Sequence, residues 1–106
     1  MISLAMMLAS GAAYSSFMTG NDLLRRCETN YAECAAYVGG VADFLNLMQT
    51  RGDLPHKACV PANADLRQLT DVAVKALRDD PASRNQGAAG LVAVAFADAF
   101  PCPTGK

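Results

Sequence analysis

Four cysteines, Cys27, Cys34, Cys59 and Cys102, constrain the fold of this chain more than any other feature. None stands in a Cys-x-x-Cys pair, and the only histidine is His56. A zinc ribbon, a thioredoxin-type motif or a Cys/His zinc site would therefore need unusual spacings. An even number of cysteines in a short exported chain reads as disulfides. The 106 residues allow one domain. A domain of that size is marginally stable on core burial alone and gains most from covalent staples.

Export is expected from the first segment. Residues Ile2 to Met18 carry no charged side chain, and a short apolar run, Ile2 to Ala9, is followed by Ser10, Gly11, Ala12 and Ala13. That is the order of a signal-peptide core and cleavage site, so 1–18 reads as a leader cut after Ala13 or a few residues later. It departs from the pattern in having no Lys or Arg ahead of the apolar run. The run is broken by Ser and Gly and falls short of the ~20 apolar residues of a membrane span, so stable membrane insertion is not expected. The domain proper is expected over 19–106.

The rest of the chain reads as four helices. The first is expected over about 21–28, capped by Thr19 or Asn21, with Asp22 at its positive end. The second runs over about 31–49 with Asn30 as cap, and Cys34, Ala35, Val38, Val41, Ala42, Leu45 and Met48 form its apolar stripe. Gly39-Gly40 weakens this helix, which suggests close approach by another backbone. Gly52 ends it. Pro55 and Pro61 forbid regular helix in the following loop. The third helix is expected over about 64–78 with Asn63 as cap, turning Leu66, Leu69, Val72, Ala73, Ala76 and Leu77 inward. The fourth is expected from Asp80-Pro81 to Phe100, with proline at its first position. From Leu91 to Phe100 its only charge is Asp98. Such a helix is expected to be buried on nearly all sides or to form a subunit interface. No run of alternating apolar and polar residues predicts a sheet. The fold class is thus all-α, a small bundle of about four helices stapled by two disulfides.

Helix order bears on the cysteine pairing. A short connection at Asp79-Asp80 makes the third and fourth helices antiparallel, which brings Cys102 beside Cys59. Cys27 and Cys34 then clip the first helix to the second. Cys27 with Cys102 and Cys34 with Cys59 remains open.

The residues offer no catalytic set and call for no cofactor or metal. A thiol enzyme would need His56 with Cys59, and oxidation of Cys59 removes that dyad. His56 reads as an exposed loop residue, Asp79-Asp80 as a helix end followed by a cap, and Asp43 as a solvated carboxylate. Gly87 to Gly90 lack the Lys-Ser/Thr of a phosphate loop. Net charge is −1, with no basic stripe and no Trp, so nucleic acid is not an expected partner. What remains is a stapled helical module that binds another protein.

Several segments taken together resemble the Rap/Tai family of type VI secretion immunity proteins. They are Leu23-Leu24-x-x-Cys27, Cys34-x-x-Tyr37-Val38-x-Gly40-x-x-Asp43, Cys59-x-Pro61, Pro81 and Phe100-Pro101-Cys102-Pro103. The likeness spans about Asn21 to Pro103, although Arg51 to Lys57 match nothing in it. The resemblance implies a small periplasmic helical protein, often dimeric. Its partner would be a peptidoglycan amidase delivered by type VI secretion, whose cysteine active site it blocks to protect the producing cell. An inhibitor of an enzyme cleft needs a projecting element. The turn between the third and fourth helices, with Arg78, Asp79, Asp80, Ser83, Arg84 and Asn85, is the expected effector-binding element. The fourth helix is the expected dimer surface. The alternatives are an envelope binding protein without an immunity role, a thiol-dependent enzyme and a membrane-active peptide.

Overall fold

Capping residues set the helix boundaries in the computed structural model of the chain, which describes residues 16–104. The expected leader up to residue 15, with its cleavage point at Ala13, lies outside the described residues. Helix α1 spans Gly20–Thr29 and opens on a capping box. The Thr19 hydroxyl accepts from the Asp22 N–H at 3.1 Å, and the Asp22 carboxylate accepts from the Thr19 N–H at 3.1 Å. Two otherwise orphaned donors are thereby satisfied. That backbone bond, with Arg25 beside it, holds the Asp22 carboxyl below the usual carboxylate range.

Asn30 alone separates α1 from α2, Tyr31–Arg51. Its N–H donates to the Arg26 carbonyl at 2.7 Å, closing α1, while its side chain accepts from the Glu33 N–H at 3.1 Å, opening α2. The Cys27–Cys34 disulfide spans this corner. Arg26 and Glu33 pair beside it at 2.6 Å. At the far end, Gly52 takes the left-handed conformation, φ 84°, that only glycine adopts without penalty. Here the structure matches the sequence reading, with α2 running two residues beyond the expected Gln49.

Helix α3, Leu66–Asp79, starts later than expected. Asp65, not Asn63, is the cap, its carboxylate accepting from the Gln68 N–H at 2.8 Å. Ala64 is instead used in a turn, donating to the Pro61 carbonyl at 3.1 Å. Leu66, expected inside, is 45% exposed, while Thr70 is fully buried. Thr70 is tolerated there because its hydroxyl donates to the Leu66 carbonyl at 2.7 Å.

The largest departure concerns the last helix. Pro81 opens only a single 3-10 turn, Pro81–Ser83, and α4 spans Ala88–Ala99. The backbone between them pairs with the start of α1. Gly20 and Asn21 donate to the carbonyls of Gln86 and Arg84 at 2.9 and 2.8 Å, and Ala88 donates to Met18 at 2.9 Å. Through this bond Met18, at the end of the segment expected as leader, meets the start of α4. Gly20 makes this approach possible. A Cβ there would lie 2.6 Å from Leu91 Cδ1 and 3.1 Å from the Arg84 backbone.

The four helices each pack against the other three, and among the described residues there is no strand, only two isolated bridges. Leu23, Val38, Leu77, Val92 and Phe96 form the centre of the core, with Cys34 among them. The second disulfide joins Cys59 to Cys102. The fold is all-α with two disulfides, and its cysteines pair as the helix order suggests.

Candidate functional site

The turn expected to meet an effector divides into two parts. Arg78, Asp79, Asp80 and Asn85 are exposed. Arg78 lies 3.8 Å from Glu28, and Asp79 pairs with Lys75 at 2.6 Å, one helical turn back. Exposed pairs of this kind stabilise by little and part easily when a partner arrives. Ser83 and Arg84 are half-buried. The Arg84 guanidinium donates to the Leu77 carbonyl at 3.2 Å, closing the end of α3. Its Nε is buried without a hydrogen-bond partner among the described residues. Arg84 thus holds the turn in shape, and the other four side chains are open to solvent.

A second surface was not foreseen in its position. Helix α4 is not buried all round: Ala88, Val92, Ala95 and Phe96 are buried, but Val94 is 58% exposed, and Ala89, Gly90 and Ala99 face outward. Its outer face and α2 form an open groove of about 470 Å³ lined by Tyr37, Gly40, Val41, Phe44, Leu54 and Ala93, among others. Phe44 is 60% exposed at its edge. A neighbouring groove continues over Val94 and Ala97. Among the described residues, the expected backbone approach at Gly39-Gly40 is absent. A Cβ at Gly39 would meet only Leu66 Cδ1, at 3.2 Å, and one at Gly40 would meet nothing within 4 Å. Gly40 lines the groove instead. Partial burial pushes the Tyr37 phenol up, against a hydrogen bond from the Ala89 backbone. A solvent-facing apolar strip of this extent is a feature of protein-binding surfaces.

The third region lies where α2 ends. Gln49 is a polar residue that is only 4% exposed. Its amide donates to the Ala58 carbonyl at 2.9 Å and accepts from the Lys57 and Ala58 N–H groups at 3.1 Å each. This clamp fixes the irregular loop onto the helix. Beside it, a cavity of about 660 Å³ is lined by Asp43, Asn46, Gln49, His56 and Cys59, with Leu69 and Phe96 among its apolar walls. His56 is exposed, as expected of a loop residue. It lies next to the Cys59–Cys102 pair, one ring nitrogen and both sulfurs being within 4.8 Å of one another. Among the described residues, no helix is long and apolar enough to cross a membrane.

The described residues thus form a stapled helical body with an exposed polar turn and an open apolar groove. The chain matches the family model described as Rap1a immunity proteins over residues 19–102, and it belongs to that family. The match covers the four helices of the described residues and all four cysteines. No curated protein and no solved structure is significantly similar to the chain.

Proposed function

We propose that this protein is a periplasmic, non-enzymatic immunity protein that binds and inhibits a peptidoglycan amidase delivered by type VI secretion. Family membership over residues 19–102 carries this reading. The two disulfides support an oxidising compartment, as the periplasm is. An amidase acts on the cell wall in that same compartment, so its inhibitor must be exported there.

In this reading, Arg78, Asp79, Asp80 and Asn85 enter or cover the amidase cleft, with Ser83 and Arg84 shaping the turn. The apolar groove of α2 and α4 serves self-association. The mature protein is tested by capture of candidate amidases, with hydrolysis of peptidoglycan assayed alongside. Tight capture with loss of hydrolysis is expected. Failure to capture or inhibit any of the candidate amidases would return the protein to an envelope binding role. The turn is tested separately with Asp79→Ala/Asp80→Ala, which spares Arg84 and hence the fold. Inhibition weakened at least about tenfold, the equivalent of about 1.4 kcal/mol, is expected. Unchanged inhibition by the folded variant would exclude the turn. A monomer by light scattering at micromolar concentration would count against the groove as a dimer surface.

A further inference from the structure

The loop before α3 and the segment after α4 meet at one joint, and that joint is held by more than sulfur. Ala58 and Pro101 form an antiparallel bridge, and the Cys59 N–H donates to the Phe100 carbonyl at 2.7 Å. The Gln49 clamp fixes Lys57 and Ala58 from the other side. None of these bonds involves a cysteine side chain. Opening the disulfide would leave the two backbones, 4.9 Å apart at their Cα atoms, in register.

His56 adds a third donor. One of its ring nitrogens and the sulfurs of Cys59 and Cys102 all lie within 4.8 Å of one another. His56 and Cys59 are exposed and Cys102 is half-buried. The other pair differs: Cys34 is completely buried and Cys27 half-buried. A thiolate must reach a sulfur to exchange with it, so the Cys59–Cys102 bond is the accessible one.

We propose that His56, Cys59 and Cys102 form a redox-gated zinc site, closed while the disulfide is intact and opened by a dithiol reductant. The reductant's thiolate attacks one sulfur, and the other leaves as a thiolate that takes up a proton. The reductant's second thiol then displaces the mixed disulfide. Two electrons have passed to the protein, which carries two thiols, and the dithiol ends as its own disulfide. Zinc binding displaces one proton from each thiol. Tetrahedral bonds of about 2.3 Å to sulfur and about 2.0 Å to nitrogen put the two sulfurs about 3.8 Å apart. That separation requires only side-chain rotation from the present joint. Two thiolates and an imidazole suit zinc and reject magnesium and calcium. The fourth position faces solvent and takes water.

The test uses the full chain, first oxidised and then treated with a limiting water-soluble phosphine. The phosphine replaces the dithiol as two-electron donor and ends as its oxide, with oxygen from water. Cobalt(II) serves as a spectroscopic probe and zinc as its competitor. Oxidised protein should bind neither metal. Reduced protein should keep its helical circular dichroism and bind one cobalt with a thiolate charge-transfer band, which zinc abolishes. Zinc should also protect Cys59 and Cys102 from alkylation, read by peptide mass mapping. His56→Ala should weaken binding at least about tenfold, the lower end of what even an outer-shell change costs a zinc site. Cys27→Ala/Cys34→Ala should bind as the parent does, and protection in the parent decides the assignment independently of that variant's folding. Failure of the reduced protein to bind, equal affinity in His56→Ala, protection of Cys27 and Cys34 instead, or loss of helicity on reduction would each overturn the proposal.

Discussion

The two disulfides close two different kinds of joint. The Cys27–Cys34 pair spans 7 residues across a corner that local interactions already define. Asn30 ends one helix and begins the next, and the Arg26–Glu33 pair bridges the same turn. The Cys59–Cys102 pair spans 43 residues and ties an irregular loop to the end of the chain's last helix. There, tertiary hydrogen bonds from Gln49 and one short antiparallel bridge do what caps do at the first joint. Local joints can form before the core does. Long-range joints form only with it, so a covalent link there removes more disorder from the unfolded chain.

That difference orders the expected effects of mutation. Replacing Cys59 and Cys102 together with Ser should destabilise by about 4 kcal/mol, and replacing Cys27 and Cys34 by about 2.5 kcal/mol, from loop-closure entropy. Urea midpoints of the two variants measure the gap directly, and equal losses would erase the distinction. Gln49→Ala should cost about 3 kcal/mol, because it strips partners from buried backbone groups at the long-range joint. A loss under about 1 kcal/mol would mean that water replaces the clamp. Asn30→Ala at the local joint should cost only about 1 kcal/mol.

A smaller, pH-dependent effect belongs to the start of α1. Asp22 has its folded pKa lowered from 3.8 by the Thr19 N–H and Arg25. Its stabilising contribution is therefore present above that value and is lost as pH falls through the lower, folded pKa. Asp22→Asn should flatten the acid side of the stability profile, leaving the neutral side nearly parallel to the parent's. An unchanged acid slope would show that the capping box does not depend on charge.

The same contrast explains what was legible in the sequence. Asn30, Gly52 and Thr19 are local signals with local mechanisms, and the ends of α1 and α2 follow from them. Asp80-Pro81 is an equally good local signal for a helix start, yet it yields one 3-10 turn. The reason is the pairing of Arg84 and Gln86 with Gly20 and Asn21, residues more than sixty positions away in the chain. Gln49 was indistinguishable from a solvent-facing glutamine because its three partners lie in a loop of no regular pattern. The apolar composition of α4 predicted burial on nearly all sides or a subunit interface, but not which side of the helix stays exposed. Of the candidate turn, its exposed position was legible, while the inward role of Arg84 depends on where α3 ends. His56 near Cys59, and Cys102 beside Cys59, were both legible, but the 4.8 Å approach of all three ligand atoms depends on how the loop lies against the end of α4.

Protection of a living cell tests the proposed function most directly. A candidate peptidoglycan amidase, exported to the periplasm of a Gram-negative host, should lyse the cells. Co-export of this chain should restore growth, and export of Asp79→Ala/Asp80→Ala should restore it less. Lysis that proceeds unchanged while the folded, disulfide-bonded protein accumulates in the periplasm would contradict the immunity role.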